Sequence, residues 1–262
     1  MLIKVFSYLR FISKGTTKYN IHSPFVHSII QNIIDDKQDY YNYLPIEQLR
    51  GILLNQKQKL KLNDYGAGSN FHKSNEISLG KLTKLIQSSK NKGQLLFRIS
   101  NYFQPRKILE LGTSLGLSTS YLAAANKKTK VVTVEADSVV ANIAKNNFKR
   151  LKLPNIKVVV NQFENVLEKL SNNDFELVFF DGNHTKEATL NYFNWAKKNV
   201  NENSIFIFDD IYWSKQMNNA WNIICADNKV TLSIDLFSIG IVFFISKNQK
   251  EHFKLIHRVN FF

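Results

Sequence analysis

From residue 105 onward, five short apolar runs alternate with five helical stretches, and this rhythm restricts the fold more than any other feature of the 262-residue chain. The runs are Lys107–Leu111, Lys130–Glu135, Ile156–Val160, Leu177–Asp181 and Ser204–Phe208. Each is rich in Val, Ile, Leu or Phe, as strands buried on both faces are. Helical spacing fills the intervals at Ser118–Ala125, Ser138–Leu151, Glu164–Leu170, Lys186–Lys198 and Lys215–Cys225. Such alternation predicts an α/β fold with a doubly wound, mostly parallel sheet. Val230–Leu236 and Ile241–Ile245 have no helix between them, so they must pair antiparallel, and the last strand is expected to run against the rest.

Residues 1–104 lack the rhythm and read as a helical N-terminal extension, a cap, substrate or dimer region, ahead of a second domain at 105–262. Helices are expected at Ile3–Ile12, Pro24–Asp35, Ile46–Gln56, Leu79–Ser88 and Gly93–Phe103. The extension carries 15 basic and 6 acidic residues, so +9 of the net +14 lies there. Lys supplies 29 of the 35 cations, and Arg, the better reader of phosphate and guanine, supplies six. A solvated basic surface is the default reading of such charge, and nucleic acid is a partner the charge permits without favouring. The segment Leu2–Ile12 is apolar and basic, and no acid precedes Asp35. It suits either an anionic membrane surface or burial against the core or a second subunit. Lys4 and Arg10 interrupt it, so it is not read as a signal peptide. The single cysteine, Cys225, rules out an internal disulfide and fits a reducing compartment. No apolar run approaches the roughly 18–20 residues needed to cross a bilayer. A cytoplasmic location is expected.

The first strand runs into Glu110-Leu111-Gly112-Thr113-Ser114-Leu115-Gly116-Leu117-Ser118. Gly112 allows a sharp turn and close approach of a ligand to the backbone, and Gly116 allows close packing where the helix begins. Ser118 is placed to cap that helix, whose N-terminus favours a negative group. The second strand ends in Glu135, 25 residues after Glu110, where a carboxylate can accept both hydroxyls of a ribose. Strand four ends in Asp181-Gly182-Asn183-His184 and strand five in Asp209-Asp210. Three carboxylates gathered in one crevice repel unless a cation compensates, and hard oxygen donors suit Mg²⁺.

The turn Glu-Leu-Gly-x-x-x-Gly-x-Ser, the antiparallel ending and the acids after strands four and five resemble the class I S-adenosylmethionine-dependent methyltransferases, the catechol O-methyltransferase-like group in particular. The resemblance covers about residues 105–245 and implies a Rossmann-like sheet. It implies that Glu110, Gly112, Ser114, Gly116 and Ser118 contact the methionine part of S-adenosylmethionine and that Glu135 holds the ribose. Gln162, after strand three, falls where the family lines the adenine, although no diagnostic residue stands there. Asp181, Asp209 and Asp210 match residues that bind a divalent ion in metal-dependent members, with Asp181 also assigned to the cofactor and the catalytic step. The family often has Asn where Asp210 stands and Lys as base where His184 stands. An imidazole with an ordinary pKa of about 6.5 suits proton abstraction near neutral pH. The implied activity is methylation of a small-molecule hydroxyl. Two rivals are a methyltransferase docking RNA or another macromolecule on the basic extension, and a non-catalytic cofactor-binding module.

Asp64-Tyr65-Gly66-Ala67-Gly68-Ser69 resembles a second glycine turn, but the segment before it is a poor buried strand and no acid follows at the required spacing. A loop is the preferred reading. His22 and His27, five apart, do not make a zinc pattern. Trp213, just past Asp210, is a candidate aromatic wall for a planar substrate, with core as the default for a large ring.

Overall fold

A computed structural model describes residues 2–62 (2–5 by backbone alone), 76–86, 88–170, 174–246 and 249–257. In chain order it has α1 (Leu2–Lys14), α2 (Pro24–Ile29), α3 (Tyr43–Leu54), β1 (Lys59–Lys61), β2 (Glu76–Ser78), α4 (Leu79–Ile86), α5 (Lys90–Phe103) and β3 (Lys107–Leu111). There follow α6 (Leu117–Ala124), β4 (Lys130–Glu135), α7 (Ser138–Arg150), β5 (Ile156–Val160), α8 (Phe163–Leu170) and β6 (Leu177–Phe180). The chain ends with α9 (Lys186–Ala196), β7 (Ile205–Asp209), α10 (Lys215–Ala226), β8 (Leu232–Asp235), β9 (Ile239–Phe243) and β10 (Glu251–Lys254). The fold class is the expected one, α/β with mostly parallel strands.

The chain forms two compact units: one is Lys37–Leu170; the other joins Met1–Asp36 to Ser171–Phe262. Helices α1 and α2 belong to the second unit, and α3, α4 and α5 to the first.

In Lys37–Leu170, β3, β4 and β5 lie side by side and parallel, with Leu109 opposite Val132 and Thr133 opposite Val158. Helices α3, α4, α5 and α6 bury a shared core that includes Tyr43, Ile46, Leu82, Phe97 and Tyr121. Ser89 caps α5 by accepting from the Lys92 N–H at 3.3 Å, satisfying one of the donors a helix start leaves orphaned. The hairpin of β1 and β2 was not expected; its strands are three residues each and mostly polar. The Asp64–Ser69 segment lies outside the described residues.

In the other unit the strand order is β10-β8-β9-β7-β6. Strands β6 and β7 are parallel, and β9 runs antiparallel to both β7 and β8. This is the antiparallel pairing that the missing helix between the two apolar runs dictated. The edge strand β10, parallel to β8, has a half-exposed, polar sequence and escaped the periodicity. Pro24 starts α2 at its first turn as expected, with Ser23 as the cap residue. Tyr8 and Phe11 of α1 pack on Phe237 with ring centroids 5.0 and 5.4 Å away. Trp221 of α10, 1% exposed, stands directly over Gly240 of β9, where a Cβ would come within 2.5 Å of the indole.

Replacing Trp221 by Ala removes the largest fully buried side chain of this unit. The expected loss is about 3–5 kcal/mol in urea unfolding; a loss under about 1 kcal/mol would show that the site collapses freely.

Candidate functional site

Strand β3 delivers Glu110 to the interior, fully buried. Thr119 of α6 and Thr133 of β4 both donate to its Oε2, Thr133 at 2.6 Å. Burial pushes this carboxyl up to about 7 from 4.5, while hydroxyls of Thr119, Thr133 and Ser118 pull it down. No hydrogen bond reaches Oε1, which is buried and unpartnered among the described residues. A buried carboxyl with a spare oxygen is costly alone and is stabilised by an arriving cation or donor.

The chain then turns. Gly112 has φ 110° and Gly116 φ 82°, the left-handed backbone that favours glycine. A Cβ at Gly116 would lie 2.5 Å from the Phe148 ring, so the expected close packing is confirmed. The Gly112 and Thr113 N–H groups both donate to the Val134 carbonyl, at 3.0 and 3.1 Å, which ties the turn to the end of β4. Ser114, at φ 51°, is left-handed without being glycine. Its N–H donates to Glu135 Oε2 at 2.8 Å, and the Asp137 N–H donates to Oε1 at 3.0 Å. A strained residue whose amide holds a carboxylate is the kind of backbone cost that functional turns carry. Burial raises the Glu135 carboxyl above its ordinary value, against those backbone donors.

Ser118 does not cap α6 as expected. Gly116 is the cap residue, and no side chain accepts there, so the first N–H groups of α6 are left open to an anion. Ser118, the second residue of α6, is buried in its first turn. Gln162 is exposed at the end of β5; its N–H donates to Asn161 Oδ1 at 2.9 Å, and the Asn161 N–H donates to the Glu135 carbonyl at 2.9 Å. The structure therefore gathers Glu110, Gly112, Ser114, Gly116, Ser118 and Glu135 on one turn and its neighbouring strand. Thr119 and Thr133 were missed. The available signal was Thr133, a polar residue inside a run otherwise made of Val.

Chemically, this corner offers an open helix N-terminus for a carboxylate, a buried carboxyl short of a partner for an ammonium, and a second carboxylate for a pair of hydroxyls. Those groups together fit S-adenosylmethionine, which carries all three.

In the other unit, Asp181 follows β6 and His184 lies three residues on, its Nε2 3.8 Å from Asp181 Oδ1. Asn183 between them is left-handed at φ 51°, and its Nδ2 donates to the Tyr192 hydroxyl at 3.4 Å. Thr185, not His184, caps α9. Asp209 is buried at the end of β7. Asp210 turns left-handed at φ 52°, and its N–H donates to the Ser238 carbonyl at 2.8 Å. The expected gathering of Asp181, Asp209 and Asp210 is not found: among the described residues no group of three His, Cys, Asp or Glu could hold a metal ion. Nor do these acids cap α10, where Ser214 accepts from the Met217 N–H at 3.1 Å. Trp213 is 55% exposed, whereas Trp221 is core. His22 and His27 are exposed.

Residues 109–211 match the protein family described as "Methyltransferase domain". This segment is similar to methyltransferase domains. It resembles a catechol O-methyltransferase of Mycobacterium tuberculosis, 31% identical over 128 residues, 48% of this chain and 57% of that protein. A catechol O-methyltransferase of Niastella koreensis is 28% identical over 131 residues, 48% of this chain and 58% of the relative. The chain thus spans under two thirds of both curated relatives. Among solved structures, an O-methyltransferase from Bacillus cereus in complex with S-adenosylhomocysteine aligns with TM-score 0.56 and 20% identity, over 84% of this chain and 97% of the other. An S-adenosylhomocysteine-bound methyltransferase from Podospora anserina aligns with TM-score 0.59 and 13% identity, over 86% and 97%. The chain therefore shares the α/β fold of these methyltransferase structures, with Glu110 and Glu135 at the ends of β3 and β4.

Glu110 provides a pH test of this geometry. Between pH 4.5 and about 7 the folded chain keeps a proton that the unfolded chain has lost. Stability is therefore expected to fall as pH rises through that window, by roughly 3 kcal/mol at most. Glu135 acts in the same direction, so the contribution of Glu110 is read as the difference between wild type and Glu110→Gln in urea unfolding at about pH 5 and about pH 8. Parallel profiles for the two proteins would refute the buried, proton-holding carboxyl.

Proposed function

We propose that the protein is an S-adenosylmethionine-dependent methyltransferase that methylates a hydroxyl of a small molecule. The observation that carries the cofactor half is Glu135, whose two oxygens are oriented by the Ser114 and Asp137 N–H groups at 2.8 and 3.0 Å. A carboxylate so held keeps lone pairs for a vicinal diol. Glu110 Oε1 would take the ligand's ammonium, and the uncapped start of α6 its carboxylate. Gln162 borders the place of the base. Bound S-adenosylmethionine supplies an activated methyl group on its sulfonium sulfur. The relatives' names, catechol O-methyltransferase, support a hydroxyl acceptor, as does Asp181-Gly182-Asn183-His184 in place of the Asn/Asp-Pro-Pro-aromatic run of base-modifying enzymes.

His184 would take the acceptor's proton at Nε2. Asp181, 3.8 Å from that nitrogen, would stabilise the resulting imidazolium. Among the described residues no group of three His, Cys, Asp or Glu could hold a metal ion, and no step is routed through a divalent cation.

Calorimetry with S-adenosylhomocysteine is expected to show binding, and Glu135→Ala to weaken it about 10–100-fold, the range for hydrogen bonds to a charged group. Unchanged affinity would remove Glu135 from the ribose site. With a catechol as test acceptor, His184→Gln is expected to lower kcat about 10²–10⁴-fold while leaving that affinity alone; a parallel loss of both would mean that His184 only supports the fold. Turnover is expected to survive a strong chelator, and a loss restored by Mg²⁺ would return Asp181, Asp209 and Asp210 to a cation role.

A further inference from the structure

Helix α1 has two apolar faces, and the protein uses one. Tyr8 and Phe11 turn inward: Phe11 is 4% exposed, and both rings lie against Phe237, with Phe11 also edge-on to Tyr212 at 6.1 Å. Away from this anchor, Phe6, Leu9 and Ile12 are 70%, 58% and 40% exposed. Their spacing of three places them along one stripe of the helix. Arg10 and Lys14, both exposed, border the stripe. No acid occurs in the first 34 residues; Lys18 is the cation held by an acid, Asp35 at 2.5 Å.

We infer that the outer face of α1 docks on an anionic membrane surface. A helix already anchored by two aromatic rings gains nothing within its unit from a second row of large apolar groups in water. An apolar stripe bordered by cations is what the boundary of a charged bilayer accepts: acyl chains take Phe6, Leu9 and Ile12, and headgroup phosphates face Arg10 and Lys14. A second copy fits less well, because matching α1 faces would set Arg10 and Lys14 against their own kind. Nucleic acid leaves the apolar stripe unused. Among the described residues no helix is long and apolar enough to cross a membrane, so α1 lies on the surface with its inner face still on Phe237. This docking does not depend on the methyl-transfer reading, and cofactor binding serves as its control.

The test is co-sedimentation of the full chain with vesicles of phosphatidylcholine alone and of phosphatidylcholine mixed with phosphatidylglycerol, at low and high salt. Wild type is expected to sediment with the anionic vesicles only, and less at high salt. The double variants Phe6→Ser with Leu9→Ser, and Arg10→Gln with Lys14→Gln, are each expected to reduce the bound fraction about tenfold or more. These side chains are exposed, so thermal melting and S-adenosylhomocysteine affinity should match wild type. Failure of wild type to bind anionic vesicles overturns the inference, as does wild-type binding by the Phe6→Ser, Leu9→Ser protein. Light scattering showing a dimer that this variant dissolves, without vesicle binding, would assign the stripe to a second copy instead.

Discussion

The candidate cofactor corner depends on the parallel pairing of β3 with β4. That pairing sets the end of one strand beside the end of the next, and the Val134 carbonyl then receives two amides of the following turn, Gly112 and Thr113. With the turn fixed there, the Ser114 amide meets the Glu135 carboxylate. In each of these the donor is a backbone amide. The corner depends on a backbone able to adopt positive φ at Gly112, Ser114 and Gly116 in close succession.

The same corner carries a cost. Glu110 is buried without a countercharge, its proton affinity is raised, and one oxygen has no partner. Three hydroxyls lessen the penalty without removing it. A group left in this state is a liability to the empty protein and an asset to the bound one, because a ligand ammonium would satisfy what the fold does not. Glu135 is the milder case, half-buried and already held by two amides.

The C-terminal unit is organised differently. Its acids sit at strand ends, with Asp181 Oδ1 3.8 Å from His184 Nε2. Its hairpin turn supports two other elements: the Ser238 carbonyl takes the Asp210 amide, and Phe237 receives the rings of α1. The first helix and the loop of Asp210 thus share one scaffold.

The sequence by itself determined the strands and helices between residues 105 and 245, the antiparallel ending, and the residues of the glycine turn with its two glutamates. Those features are local: periodicity of two or 3.6, a missing helix, and glycines where the backbone must turn sharply. It also placed the five helices of the first 104 residues. Only the tertiary structure decided where those helices belong, because their apolar faces do not name their partners. Thr119 and Thr133 became partners of Glu110 through pairing across nine and 23 residues, which no window of sequence reveals. Whether Asp181, Asp209 and Asp210 form a cation-holding group was likewise beyond the sequence, since membership of neighbouring strand ends fixes proximity of the backbone and not the direction of each carboxylate.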